Sequence, residues 1–292
     1  MANLKEVRTR IASVSSTQQI TSAMKMVSAA KFRRAQNAIL GMRPYAAQLG
    51  EIVSDIGANE EVMTPYHETR PLSNVLIVVV VSNKGLCGAF NSNVLKEATN
   101  RMEYFSAQHP AAKVQMITIG KRATEFFSKR GDFVVGSYDE LLDTPDFDAI
   151  ANLAESLMAQ FCEKRYDHIE LVYNQFKNSL TQILTTEKFL PVASNQDGGK
   201  DKKGMVSDYI FEPSKAEILQ EMVPLTLRSQ FYRVILDSLA AEHGARMTAM
   251  QKATDNATEL LKDLRLSYNK ARQAAITNEI IEIVSGSEAL KG

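Results

Sequence analysis

The sequence predicts an α/β protein: a long antiparallel coiled coil of N- and C-terminal helices, with an α/β domain inserted between them. Three observations predict it. Apolar residues recur at alternating steps of three and four near both ends of the chain, which marks one stripe of a helix. Between them the period changes to a continuous β-branched run, Val75 to Ser82, as in a strand buried on both faces. Beyond that run, strand-like and helix-like patterns alternate, the signature of a mostly parallel sheet. With 292 residues, 45% of them hydrophobic, the chain can bury a sizeable core.

The first helix begins at Leu4, Val7, Ile11 and Val14, and its register later carries Phe32, Ala35, Ile39 and Met42. The middle of the stripe is polar, with Gln18, Thr21, Lys25 and Ser28, while the apolar character moves to Ile20, Met24 and Val27. A two-stranded zipper would not tolerate that, so this stretch is expected to face a second partner. Pro44 should kink or restart the helix, which then runs to about Ile56. Residues 57 to 74 read as a linker.

In the insert, the Val75–Ser82 strand leads through a loop, Asn83 to Asn91, to a helical pattern from Val94 to Phe105. A second strand, Lys113 to Ile119, precedes a short helix to Lys129, and a third is expected at Asp132 to Val135. Asp146 to Lys164 is helical, His168 to Tyr173 is a fourth strand, and Thr181 to Thr186 and Val206 to Phe211 add candidates around a polar turn, Asn195 to Gly204. The last segment, from about Ser214 to Val284, contains one glycine, Gly244, and no proline after Pro224. One register reads Met250, Ala253, Ala257, Leu260, Leu264, Ser267, Ala271, Ala274, Asn278, Ile281, a heptad seam. Seventy helical residues would extend on the order of 100 Å, so this helix is expected to project. The domain boundaries expected are 1–57, 58–213 and 214–292. Antiparallel pairing would exhaust the first helix near position 269 of the second and leave roughly 17 residues bare, about 25 Å of helix. That tip holds Ile276, Ile280, Ile281, Ile283 and Val284, an apolar surface that needs a collar.

Chemistry-bearing patterns are sparse. Cys87 and Cys162 belong to no C-x-x-C or Cys/His pattern, which reads against a zinc site or a disulfide framework. The Ser82–Asn91 loop stands where a dinucleotide fold keeps its phosphate loop, but it lacks G-x-G-x-x-G and G-x-x-x-x-G-K-[ST] and reads as a structural turn. Gly198, Gly199, Lys200, Lys202, Lys203 and Gly204 read as a polar loop tip. His67, His109, His168 and His243 are scattered over different elements, and no nucleophile stands in a recognisable setting. Met24, Met26, Met42, Met247 and Met250 read as adaptable packing. The longest apolar run, Val75 to Val81, is too short to cross a bilayer.

The 34 Lys/Arg and 34 Asp/Glu cancel over the chain, which excludes a globally basic or acidic protein. Residues 1 to 43 nevertheless contain eight Lys/Arg against Glu6 alone, a net of +7, offset by −7 elsewhere, notably around Asp139 to Asp148. A basic helical face fits nucleic acid, an anionic membrane or an acidic protein surface. Few aromatics lie there, which weakens the single-stranded nucleic-acid option. The first 35 residues share the basic, Ser/Thr-rich composition of a mitochondrial transit peptide, but helical patterning runs through them without a cleavage-like break. A dinucleotide-binding enzyme with helical arms and a self-associating coiled-coil scaffold remain as alternatives at this point. The first would need the missing phosphate fingerprint.

The residues also carry a resemblance. Glu242-His243-Gly244-Ala245-Arg246-Met247, Ala253-Thr254-Asp255-Asn256-Ala257, Leu266-Ser267-Tyr268-Asn269-Lys270-Ala271-Arg272-Gln273-Ala274-Ala275-Ile276-Thr277 and Glu279 to Gly286 resemble the C-terminal signature of F-type ATP synthase gamma subunits. Thr17-Gln18-Gln19-Ile20-Thr21-Ser22-Ala23-Met24-Lys25-Met26-Val27 and Lys31-Phe32-Arg33-Arg34-Ala35-Gln36 match at the other end. The resemblance implies a central-stalk rotor, without catalytic, cofactor or metal residues of its own, around a Rossmann-like domain. It couples proton flow through a membrane c-ring to conformational change at sites on the beta subunits. It implies alpha and beta subunits as a hexameric collar, an epsilon subunit and a c-ring as partners, no nucleic acid, and membrane association only through the complex, at the cytoplasmic face of a bacterial inner membrane. By position it implies beta-subunit contact at Arg272, Gln273, Thr277, Lys25, Arg33 and Arg34. The bearing tip falls on Ile280, Ile281, Ile283 and Val284, and a foot for epsilon and the c-ring on Tyr209, Phe211 and Glu212. Asn83, Lys84 and Ala89 depart from the family's usual Asp-Arg-Gly-Leu-Cys-Gly-Gly loop. The start at Met1 on the first helix favours a bacterial protein, and the chloroplast cysteine insertion is absent.

Overall fold

The computed structural model describes residues 4–57, 64–131, 133–178, 181–192 and 214–289. Two compact units emerge, one made of residues 1–28 and 247–292, the other of residues 29–246. Helix α1 (Leu4–Gly57) and helix α5 (Lys215–Ala289) each contribute to both.

In the 29–246 unit the sheet has the order β3-β2-β1-β4-β5. Strand β1 (Asn74–Val80) runs parallel to β2 (Lys113–Ile119) and to β4 (His168–Phe176). Strand β3 (Val134–Ser137) is parallel to β2, and β5 (Gln182–Leu190) is antiparallel to β4. The third strand thus starts two residues later than the apolar pattern suggested. Phe133 is spent in the turn, where its carbonyl accepts from the Met116 amide. The expected strand at Val206 to Phe211 and the turn at Asn195 to Gly204 lie outside the described residues.

The β-branched run behaves as its composition requires. Leu76, Val78 and Val80 pack on one face of the sheet, and Val75, Ile77, Val79 and Val81 on the other, all essentially inaccessible. The first face is covered by α4 (Phe147–Cys162) and by Leu219, Val223, Leu227, Phe231, Val234 and Ile235 of α5. The second is covered by α2 (Phe90–Gln108) and the short α3 (Lys121–Phe127) through Val94, Ala98, Phe105, Ala123 and Phe127. Asp146 caps α4, its carboxylate accepting from the Ala149 amide at 3.2 Å. Glu187 on β5 ties the edge strand to α5 by accepting from Gln230 at 2.7 Å and Arg233 at 2.8 Å.

Helix α1 also packs on α5 in this unit, where Ile39 meets Leu236 and Ala240, with Ala35 and Met42 alongside. Pro44 lies inside α1 and does not end it, so of the kink or restart expected there the helix does not restart, and it runs to Gly57, close to the expected Ile56. Its ring removes one backbone hydrogen bond, but Ile39 and Leu49 on either side are both buried and hold the helix across the gap. Within the expected linker, residues 64–74 are fastened to the fold. Thr64 is buried, and its hydroxyl lies 2.7 Å from His67 Nδ1. The Arg70 guanidinium donates to the Phe161 carbonyl at 2.8 Å and stacks 4.5 Å over the Phe161 ring.

Candidate functional site

In the unit of residues 1–28 and 247–292, α1 and α5 run antiparallel. Gln18 Nε2 donates to Thr258 Oγ1 at 2.7 Å, and the hydroxyls of Thr21 and Thr254 share a hydrogen bond at 2.8 Å. The α1 register is the one read from the sequence: Val7, Thr21 and Ser28 are buried and Leu4, Ile11, Val14, Gln18 and Lys25 half-buried. The polar centre of the stripe therefore faces the partner helix and satisfies itself by hydrogen bonds. Ile20, Met24 and Val27 point away, 39–58% exposed. Met24 and Met26 are thus surface groups, whereas Met250 is core.

The α5 seam differs from the expected heptad. Its inward residues include Met250, Ala253, Thr254, Ala257, Leu261, Leu264, Tyr268 and Ala271, while Leu260 and Ser267 face out. Steps of three and four can be taken in either order. The burial of Leu261 decides it, since Leu260 is 42% exposed. The Thr21–Thr254 pairing sets Leu4 opposite about Ala271, and from Arg272 to Glu288 every residue is exposed. Arg272, Gln273 and Thr277 therefore stand free, with Gln273 and Thr277 one turn apart on one face. Ile276, Ile280, Ile281, Ile283 and Val284 are 49–66% exposed. Lys25 is half-buried, and Arg33 and Arg34 are exposed. Tyr209, Phe211 and Glu212 lie outside the described residues.

In the 29–246 unit, the loop after β1 spends its polar groups on itself. The Ser82 amide and hydroxyl both donate to Asn91 Oδ1 at 3.0 Å, and Asn91 Nδ2 donates to the buried Cys87 Sγ at 3.2 Å. Leu86 holds a positive φ of 64° with its side chain 65% exposed, and Gly88 a φ of 63°. Asn83, where the family pattern has an acid, donates to the Asp139 carbonyl and Asp143 and accepts from the Lys121 amide. A phosphate loop would keep such donors for its ligand. Among the described residues no group of His, Cys, Asp and Glu side chains could hold a metal ion, and no helix is long and apolar enough to cross a membrane.

Sequence reasoning missed the clamp that fastens this loop. Arg246 pairs with Glu242 one turn earlier on α5, and its other amino group donates to the carbonyls of Lys84 at 2.8 Å and Gly85 at 3.2 Å. Burial pushes the Glu242 carboxyl up, and Arg246 only partly opposes this. Burial first, then Arg246 and Lys31, hold the neighbouring His243 down to about 4. The i, i+4 Glu–Arg spacing was visible; that both face inward was not, because nearby α5 residues are apolar on several sides.

The comparisons with known proteins agree with one another. A family profile described as ATP synthase matches residues 3–290. The chain is 53% identical to the ATP synthase gamma chain of Flavobacterium johnsoniae over 294 aligned positions that span all of both chains. It is 50% identical to that of Cytophaga hutchinsonii, covering 99% of each. Among solved structures, the Euglena gracilis mitochondrial ATP synthase rotor aligns with a TM-score of 0.64 at 17% identity, over 94% of this chain and 98% of that one. The Tetrahymena thermophila mitochondrial ATP synthase central stalk and c-ring contributes a chain at 0.56 and 23%, over 80% and 99%. At those identities the structural likeness speaks for the fold.

Proposed function

The chain belongs to the ATP synthase gamma-chain family, and from that premise we propose that it works as the central-stalk rotor of a membrane-associated ATP synthase. It is a non-catalytic subunit: the reaction takes place on other chains, and this one transmits rotation between them. The observation that supports a rotor best is the bare end of α5. A helix that buries one face against α1 as far as Ala271 continues for a further 17 residues with every side chain exposed. An apolar helix of that kind is stable in water only inside a surrounding sleeve. A ring of alpha and beta subunits is the sleeve this family supplies.

The functional division follows 1–57 and 214–292 as shaft and 58–213 as base. Arg272, Gln273 and Thr277 present a cation and two hydrogen-bonding groups to a beta subunit. Ile280, Ile281, Ile283 and Val284 form a greasy bearing without directional bonds, which suits a surface that must turn. Lys25, Arg33 and Arg34 meet acidic groups on the beta subunits, and Tyr209, Phe211 and Glu212 serve as the foot toward epsilon and the c-ring. Proton flow through that ring drives the rotation, and the complex stands on the cytoplasmic face of a bacterial inner membrane.

Reconstitution tests this reading. Mixing the full chain with alpha and beta subunits of its own source should give a stoichiometric complex that hydrolyses ATP. Arg272→Ala combined with Gln273→Ala should lower turnover at least tenfold without dissociating it. Failure to assemble, or tight binding of ATP or NAD by the isolated chain, would overturn the proposal.

A further inference from the structure

A groove between α2 and α3 has no part in the functions assigned above and meets the loop after β1 only at Gly88 and Asn91. It lies wholly in the 29–246 unit, on the sheet face opposite α4, and is an open depression of about 800 Å³. Leu95 and the ring of Phe126 give it an apolar lining. Its rim carries Lys96, Arg122, Lys129 and Arg130 against one acid, Glu125, a local net of +3 in a chain that is neutral overall.

The local partners absorb only part of that charge. Arg122 pairs with Glu125 at 2.9 Å, and the Arg130 guanidinium lies 4.2 Å over the Phe126 ring, where it stays cationic. Lys96 and Lys129 are exposed and make no ion pair among the described residues. The N-terminal turn of α2, which forms one wall, has neither an acidic residue nor a side-chain cap, so its positive end adds to the field.

We propose that this groove docks an acidic amphipathic helix of a partner polypeptide, laid along α2 with its apolar face on Leu95 and Phe126 and its carboxylates against Lys96, Lys129 and Arg130. The shape favours a helix over a small anion. The trough is open, and the α2 residues that line it run from Asn91 to Asn100, about 14 Å along the helix. An isolated phosphate would have no use for the apolar lining, whereas a helix buries one face while its charged flanks read the rim. The proposal does not rest on the rotor reading, since it concerns a different face.

Fluorescence anisotropy on the full chain tests it. The labelled 18-residue helical peptide carries Leu at i, i+3, i+4 and i+7 and Glu elsewhere. Lys96→Glu with Lys129→Glu should weaken binding at least tenfold, and Phe126→Ala at least threefold, while Lys113→Glu, on a distant exposed position, changes nothing. Thermal melts of the lysine variants should match the parent, which separates lost docking from lost folding. Phe126→Ala removes a ring packed on the core and Phe127, so its binding is compared at a temperature where its own melt shows it folded. A Lys-for-Glu peptide should not bind. Equal binding of a scrambled peptide of the same composition would reduce the site to bulk electrostatics and overturn the proposal, as would displacement by millimolar inorganic phosphate. In the assembled complex, a photo-crosslinker at Asn100 should capture an acidic helical segment; capture of a basic segment, or of none, refutes it.

Discussion

Glu242 and His243 are chain neighbours, and burial drives them in opposite directions: the carboxyl up and the imidazole down to about 4. The charges facing His243 are Arg246 and Lys31, with Glu242 Oε1 4.0 Å from its Nδ1. Below the ordinary histidine value near 6.5 the unfolded chain takes up a proton that the folded one refuses. His243 therefore contributes stability above that value and loses it as pH falls toward 4. Glu242 acts in the opposite sense, since its raised value lets the folded state bind a proton first. His243→Gln removes only the first effect. The stability difference between parent and variant should change by about 2 kcal/mol between pH 7 and pH 5 in denaturant titrations; a pH-independent difference would contradict the assignment. Gly120 offers a second residue-scale test. Its φ is 115°, and a Cβ there would lie 2.3 Å from the Val81 carbonyl oxygen. Gly120→Ala should cost more than about 2 kcal/mol, because the clash is with backbone that cannot move aside.

The helix pair shows how an element can be specified by polar groups. The Thr21 and Thr254 hydroxyls lie 2.8 Å apart, so that one donates to the other while the accepting hydroxyl donates to a carbonyl of its own helix, Gln18 for Thr21 or Met250 for Thr254. Small polar residues let the backbones approach closely, as apolar residues of larger volume would not. Thr21→Val and Thr254→Val should each destabilise the chain by about 1 kcal/mol, and the double variant by less than their sum. Additive costs in thermal unfolding would show that the contact carries no coupling. The same geometry explains Ile20, Met24 and Val27. Because polar residues occupy the α5-facing side, these apolar ones are left outward, and a surface of that kind is suited to a moving partner.

At the scale of the whole molecule, each unit has its own source of stability. The 29–246 unit owns a sheet with helices on both faces, while residues 272–288 are all exposed. Deleting residues 276–292 should leave the cooperative melt of the α/β core unchanged and still reduce ATP-driven proton pumping by the assembled complex. A drop of several degrees in that melt would mean that the end of α5 supports the core.

The amino-acid pattern by itself determined a great deal. The α1 stripe from Leu4 to Met42, the doubly buried strand after Asn74, the strand–helix alternation and the unpaired apolar end of α5 were all legible. Each rests on a repeat of 3.6 or 2 residues, which is local. Tertiary structure alone decided the rest. It chose Leu261 and Tyr268 over Leu260 and Ser267, because two stripes of similar hydrophobicity compete and only the facing helix selects one. It also carried α1 past Pro44 through packing on both sides. It brought Arg246 to the carbonyls of Lys84 and Gly85, 162 and 161 positions away, and gathered Lys96, Lys129 and Arg130 around one groove. Proximity of that kind comes from chain closure and burial summed over the whole core, which no window along the sequence contains.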